Sequence, residues 1–263
     1  MSERLQVATT HDAALLRGFF RRDPVAAALL LGDLDEPYCQ WCRWYVATYR
    51  ERPVGVLALF EGLSTPALLS FGAPDAVAAV LRECGDELPA ECDAKIPPEH
   101  REAFAESYRI VRCESQWAMG LDPADFARAS ETGGIRALGH RDLPAMLELY
   151  EAYPDNFFEA GQLDWGLYFG RYAEEELVAI SGTLVLSERE EIAMLGNLVT
   201  APEARGRGHA RSCTSRLVEA LHERGCRTVA LHVAATNAPA ISCYRRLGFS
   251  FRSIVLQAYC IRN

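Results

Sequence analysis

The sequence predicts an α/β chain, α+β in layout, made of two related domains that each hold a mixed sheet with flanking helices. Two observations predict it. One order of apolar patterns occurs twice, at an interval of roughly 130 residues. A glycine- and arginine-rich loop separates a strand pattern from a helix pattern in the second copy alone. The first copy opens with Leu5-Gln6-Val7-Ala8, passes His11-Asp12 and enters Ala13-Ala14-Leu15-Leu16 and Phe19-Phe20. The second opens with Ile135-Arg136-Ala137-Leu138, passes His140-Arg141-Asp142 and enters Ala145-Met146-Leu147 and Leu149-Tyr150. Each reads as a short strand, an Asp cap and an amphipathic helix, since a short carboxylate accepts from the free N–H groups of a first helical turn. Gly32-Asp33-Leu34-Asp35 is echoed by Gly161-Gln162-Leu163-Asp164. Both copies then run into hairpin patterns. Trp44 to Tyr49 and Val54 to Leu59 flank Arg50 to Pro53; Leu167 to Tyr172 and Leu177 to Leu186 flank Ala173 to Glu176. Asp122 to Gly134, with Pro123 and Gly133-Gly134, reads as a linker, which sets the domains at residues 1–128 and 129–263.

Composition narrows the function. A chain of 263 residues is long enough for two buried cores. The net charge of −9 argues against a non-specific nucleic-acid binder, which needs a broad basic face. The apolar run Val25 to Leu31 falls far short of the roughly 20 residues a membrane helix needs. Met1-Ser2-Glu3-Arg4 leads into no hydrophobic signal region. The expectation is a cytoplasmic protein with neither nucleic acid nor membrane as partner. Nine cysteines, odd in number and without framework spacing, are expected as free thiols. Cys39 and Cys42 form a CxxC with no second pair or nearby His, so no metal is expected.

The chemistry concentrates after the apolar strand Ile192 to Thr200. Ala201-Pro202-Glu203-Ala204 leads to Arg205-Gly206-Arg207-Gly208-His209-Ala210-Arg211, and a helix pattern runs on to Arg224 with Gly225 as its stop. A strand feeding a glycine loop that opens a helix is an anion site. The first N–H groups of a helix lack partners within it, and its dipole favours negative charge there. Arg205, Arg207 and Arg211 add charge-assisted donors. A P-loop is a poor fit because no Lys follows Gly208. A dinucleotide fingerprint is a poor fit because Arg211 stands where its third Gly belongs.

Arg205-Gly206-Arg207-Gly208-His209-Ala210 instead matches [RQ]-x-x-G-x-[GA], the pyrophosphate-binding motif of the GNAT acyltransferase superfamily. A second signature follows in order: the alternating strand Arg227 to Val233, then Asn237-Ala238-Pro239-Ala240-Ile241, Tyr244 and Leu247-Gly248-Phe249. Residues 135–263 thus resemble a GNAT N-acetyltransferase, and residues 1–128 a degenerate copy of one. The resemblance implies twisted, mostly antiparallel sheets with a splayed parallel strand pair in the second domain. It implies acetyl-CoA as cosubstrate and an amine of a small molecule or peptide as acceptor. Its implied contacts are the backbone of Leu198 and Val199 and the side chain of Asn237 for the cofactor arm, and Arg205, Gly206, Arg207, Gly208, His209, Ala210 and Arg211 for the pyrophosphate. It makes Tyr244 the acid that protonates the leaving thiolate. A packing role stays open for Tyr244. A base or a solvated turn stays open for Glu190 and Glu191, and a pocket wall or plain core for Tyr150 to Phe158. A non-catalytic acyl-CoA sensor and a longer acyl donor remain alternatives. Cys213 and Cys243 read as small packing residues.

In the first copy Phe71-Gly72-Ala73-Pro74-Asp75 stands where the arginine loop belongs. It offers no cation, so a retained sheet without a cofactor site is expected. Ala94-Lys95-Ile96 and Pro97-Pro98 are read as replacing the later strand, with a helix from about Glu99 to Tyr108. Such a domain would buttress the catalytic one, with Trp41, Trp44 and Tyr45 as pocket contacts or core.

Overall fold

The computed structural model describes residues 5–130, 133–154 and 156–263, so Met1 to Arg4, two positions of the linker and Asp155 lie outside the described residues. The chain folds as two compact units, one of Met1–Trp117 with Ser253–Asn263 and the other of Ala118–Arg252.

The first unit begins with β1 (Gln6–Thr10), α1 (Ala13–Phe20) and α2 (Ala28–Gly32). Asp12 caps α1, its Oδ1 accepting from Ala14 N and Leu15 N at 3.0 Å each. β2 (Cys42–Tyr49) and β3 (Arg52–Phe60) form a hairpin whose turn residues Arg50 and Glu51 both take positive φ. Two left-handed residues in a row match the twist of the flanking strands. β4 (Ala67–Gly72) pairs antiparallel with β3; α3 (Pro74–Glu83) follows; then β5 (Glu91–Ile96) lies parallel to β4. A short 3₁₀ turn at Pro98–His100 and α4 (Arg101–Ser107) lead to β6 (Tyr108–Leu121). The helix expected over Glu99 to Tyr108 is therefore shorter, because Pro97 is extended, Pro98–His100 form a 3₁₀ turn and Tyr108 already belongs to a strand. Ala94-Lys95-Ile96, read as standing in place of the later strand, is the end of β5. Alternation of Cys92, Ala94 and Ile96 into the core keeps it.

The second unit repeats that order. β7 (Ile135–Ala137), α5 (Leu143–Glu151), β8 (Tyr168–Ala173), β9 (Glu176–Ser187) and β10 (Ile192–Thr200) lead to α6 (His209–Glu223). β11 (Thr228–Ala234), α7 (Ala238–Arg245) and β12 (Ser250–Arg262) follow. Neighbouring strands from β7 to β10 are antiparallel, and β10 and β11 are parallel. Mixed, mostly antiparallel sheets with helices against them are thus present, as expected. α6 buries Cys213, Leu217, Val218, Ala220 and Leu221 against the unit's core.

One strand departs from the simple repeat. β12 pairs antiparallel with β5, from Leu256↔Ile96 to Ile261↔Glu91. Leu256, Ala258 and Cys260 enter the core of the first unit beside Val80, Phe104 and Tyr108. The final strand of the chain therefore completes the unit with which the chain began.

In the first unit a histidine stands against the end of β4. Beyond the parallel pair Leu69↔Lys95 of β4 and β5, the fully buried imidazole of His100 takes over. Its Nδ1 lies 2.7 Å from Ser70 Oγ and its Nε2 3.0 Å from the carbonyl of Gly72. Nε2 must donate to that carbonyl, so Nδ1 accepts the hydroxyl proton of Ser70 and the ring is neutral. Burial agrees, lowering the pKa of His100 below its usual value. A Cβ placed on Gly72 would collide with the carbonyl oxygen of Val54 and meet Phe19 Cζ at 2.9 Å. Trp44 packs 5.7 Å from Phe20 and Tyr45 is fully buried, so both are core side chains of this unit; Trp41 packs edge-on to Phe60.

Candidate active site

β10 and β11 pair in parallel from Ile192↔Thr228 to Leu195↔Leu231, and both strands then run on, to Thr200 and Ala234. Where that pairing stops, β10 is bulged against β9: Gly196 faces Gly182 and Val199 faces Ile180, so Asn197 and Leu198 oppose one residue. Asn197 takes the left-handed conformation at φ 55°, which asparagine tolerates better than most residues. Its side chain donates to Gln162 Oε1 at 3.0 Å and Tyr168 Oη at 2.9 Å. Its carbonyl accepts from Tyr150 Oη at 2.7 Å. Of the two strand residues singled out by sequence, Leu198 sits in the bulge and Val199 returns to the ladder with its side chain in the core.

The arginine loop follows. Gly206 and Gly208 have φ of 75° and 82°, a region that only glycine enters freely, and a Cβ on either would meet no atom within 4 Å. The left-handed Gly208 stands at the N-cap of α6 with no side chain capping it and no acid in the first turn. His209, Ala210 and Arg211 form that turn, and the N–H groups of a first turn point out of the helix end. Arg211 Nε is buried without a hydrogen-bond partner among the described residues. An open cradle, a positive helix end without a side-chain cap and an orphaned guanidinium nitrogen together suit a polyphosphate. Arg205 is already engaged: its Nη2 donates to Tyr153 Oη at 2.8 Å.

The remaining sequence-marked residues divide. Asn237 is exposed and caps α7, its Oδ1 accepting from Ala240 N at 3.1 Å. Tyr244 lies buried on α7 with its ring edge-on to Phe249 at 6.0 Å. Burial pushes its phenol well above the usual value near 10. Cys213 is fully buried and its thiol is pushed up to about 12; that of Cys243 is pushed up to about 11. Both stay protonated and serve packing. Glu190 is a buried side chain rather than part of a solvated turn, and Glu191 pairs with Arg227 at 3.2 Å. Both stand before β10 begins, roughly 25 Å of strand from Leu198 at about 3.3 Å per residue. Tyr150 and Phe158 stack at 4.6 Å inside the core of this unit. Among the described residues no three His, Cys, Asp or Glu side chains gather as a metal site, and no helix is long and apolar enough to cross a membrane.

This geometry has known relatives. The Acetyltransferase (GNAT) family matches residues 139–249. Over 125 residues the chain is 30% identical to the ribosomal protein bS18 alanine N-acetyltransferase of Escherichia coli K12, covering 46% of this chain and 82% of that protein. The chain belongs to the GNAT acetyltransferase family. A shorter stretch of 49 residues is 47% identical to the mycothiol acetyltransferase of Corynebacterium jeikeium, 19% of this chain but only 14% of that one. A tandem GNAT protein from the clavulanic acid biosynthesis pathway shares the fold across 98% of both chains, with a TM-score of 0.57 at 14% identity. The doubled pattern in the sequence thus has a solved counterpart.

The sequence of this GNAT chain does not by itself mark out Asn197, Gln162, Tyr168 or the hydroxyls of Tyr150 and Tyr153. The available signal is Gly196-Asn197 inside an otherwise apolar strand, a pair that marks a bulge. Asn197→Ala should cost about 2–4 kcal/mol of stability. The left-handed backbone accounts for about 1 kcal/mol and the two lost hydrogen bonds for the rest, although Gln162 Oε1 keeps Glu159 N and the Tyr168 hydroxyl keeps the Thr183 carbonyl as partners. Asn197→Gly should recover the backbone share alone. Chemical denaturation checks both; a loss under about 1 kcal/mol for the alanine variant would show that the network adds little.

Proposed function

We propose that this protein transfers an acetyl group from acetyl-CoA to a primary amine of a small molecule or peptide. One observation carries the reading: the open Gly206–Gly208 cradle on the N-terminus of α6, one short turn past the bulge where the β10–β11 pairing has ended. Acetyl-CoA brings the acyl group as a thioester, already activated for attack by an amine. The chain supplies the rest. Arg207, Arg211 and the first-turn N–H groups of α6 hold the pyrophosphate. The bulge frees backbone at Leu198 to take the cofactor arm and polarise the acyl carbonyl. Asn237 keeps its amide nitrogen to donate while its oxygen caps α7. Tyr244 holds a proton at its hydroxyl that it can pass to the departing sulfur as the C–S bond breaks, and it can regain one from the ammonium formed on the acceptor.

The acceptor must arrive as a neutral amine. A lysine-like amine of pKa about 10.4 is almost wholly charged near pH 7, whereas a peptide α-amine of about 7.7–8.0 is neutral in roughly one molecule in ten. The α-amine therefore makes the smaller demand on a base. The relative that acts on an alanine of a ribosomal protein also points to peptide N-termini. Thiol release from acetyl-CoA over a panel of Ala-initiated peptides, free amino acids and polyamines tests this. Release with none of them would remove the enzymatic reading and leave a binder.

Arg207→Ala with Arg211→Ala should weaken CoA binding by about 2–4 kcal/mol, since each charged hydrogen bond is worth roughly 1.5–3 kcal/mol before solvent screening. Calorimetry giving equal affinity would remove the loop from the site.

A further inference from the structure

Between α2 and β2 the first unit makes a single 3₁₀ turn, Tyr38–Trp41, closed by Cys42 N donating to the carbonyl of Cys39. A 3₁₀ helix has three residues per turn, so side chains three apart stand over one another with Cα atoms about 6 Å apart. That separation lies within the roughly 4.4–6.8 Å that a disulfide spans. The CxxC of the sequence therefore places two thiols on one side of one turn. They are not equivalent. Cys39 is half-buried and open to solvent on one side, whereas Cys42 is buried and its Sγ donates to the carbonyl of Tyr38 at 3.4 Å. One thiol can meet a reagent, and the second is held directly behind it. Cys113, by contrast, is exposed and has no other cysteine in its stretch of sequence.

We propose that Cys39 and Cys42 are a thiol–disulfide exchange site, at which a low-molecular-weight disulfide is reduced and the pair closes into an intramolecular disulfide. The thiolate of Cys39 attacks one sulfur of the disulfide RSSR, its S–S bond breaks and one RS⁻ leaves. Cys42 then gives up its proton and attacks the Sγ of Cys39, expelling the second RS⁻. The two protons lost by the cysteines end on two molecules of RSH, so two protein thiols are oxidised and one disulfide is reduced. Closure ends the bond from Cys42 to the Tyr38 carbonyl. The surroundings set the pace. Burial, a hydrogen bond with Glu36 and the charges of Glu36 and Asp35 raise the thiol of Cys39 above its usual value. Burial, Asp33 and the neighbouring Cys39 raise that of Cys42. Few thiolates form, so attack is slow. Reopening is slow for the same reason, because a thiol of high pKa is a poor leaving group. The pair is thus a modification that is retained once made. The step uses no part of the acetyl-transfer site.

Incubation of the full chain with glutathione disulfide, followed by alkylation, tryptic digestion and mass measurement, tests this. Cleavage after Arg22, Arg43, Arg112 and Arg128 puts Cys39 and Cys42 on one peptide and Cys113 on another. The wild-type peptide 23–43 is expected to lose two hydrogen atoms in mass and to take up neither glutathione nor the alkylating agent. Peptide 113–128 should carry glutathione as a lasting mixed disulfide. Cys42→Ser should trap glutathione on Cys39, since the closing thiol is gone. Cys39→Ser should leave Cys42 a free thiol, alkylated only after denaturation. A wild-type peptide 23–43 that keeps glutathione on Cys39, or that stays a dithiol while Cys113 reacts to completion, overturns the proposal. So does a Cys39→Ser chain whose Cys42 takes up glutathione as fast as Cys39 does in Cys42→Ser, because the order of attack would then be lost.

Discussion

Tyr244→Phe is expected to lower turnover by about 10²–10⁴-fold while shifting CoA affinity by less than about threefold. The asymmetry follows from where the residue sits. The ring is buried on α7 against Phe249, and phenylalanine keeps that contact; the one atom removed is the hydroxyl oxygen. Burial also raises the phenol pKa above its usual value near 10. A phenol holds its proton below its pKa, so a raised value means no loss of acid between about pH 7 and 9. The pH–rate profile of the wild type should accordingly rise with deprotonation of the amine and show no fall from Tyr244 in that window. Turnover equal to wild type, under conditions where chemistry limits the rate, would return Tyr244 to packing.

Removing residues 253–263 is expected to unfold the first unit even though no residue before Tyr108 is touched. The segment contributes the pairing from Leu256↔Ile96 to Ile261↔Glu91 and the buried side chains of Leu256, Ala258 and Cys260. Emptying one Leu-sized site costs about 2–5 kcal/mol, and a lost strand exposes the edge of β5 as well. The total rivals the roughly 5–15 kcal/mol that holds an ordinary domain together. Limited proteolysis should find new cuts within residues 5–117 of the truncated chain, and thermal unfolding should lose or lower a transition. A truncated chain with an unaltered melting profile would show that the strand is an ornament. Point substitution offers a milder version, with Cys260→Asp placing a charge in a fully buried site.

Much of this architecture could be read in advance because it repeats. Apolar alternation marks β2, β3, β9 and β10 close to their observed bounds, and Asp12 announces α1. The arginine loop was legible too, since left-handed glycines, a helix start and clustered cations are all local features. What stayed hidden is non-local. The alternation of Val255, Leu256 and Ala258 reads identically whichever strand lies alongside, so nothing in residues 250–262 reveals β5 as the partner. His100 is a lone histidine among prolines until Ser70 and Gly72 come to meet it. The bond from Arg205 to Tyr153 spans 52 positions, and an arginine in a phosphate motif carries no mark of a second engagement. Glu190 reads as turn polarity because charged neighbours on either side do not show that its own side chain is buried.

The strand β12 also carries a consequence in time. During synthesis β5 emerges early, yet the strand that covers its open edge is made only after all of Ala118–Arg252. At about 5–20 residues per second that interval is on the order of 10 s. Through it the nascent chain carries a strand edge with free donors and acceptors and a core still missing three of its side chains. Such an edge invites pairing with neighbours on the same message or capture by chaperones. The yield of folded protein should thus depend on the speed of translation through the second half, a property set by the ribosome and not by the stability of the finished molecule.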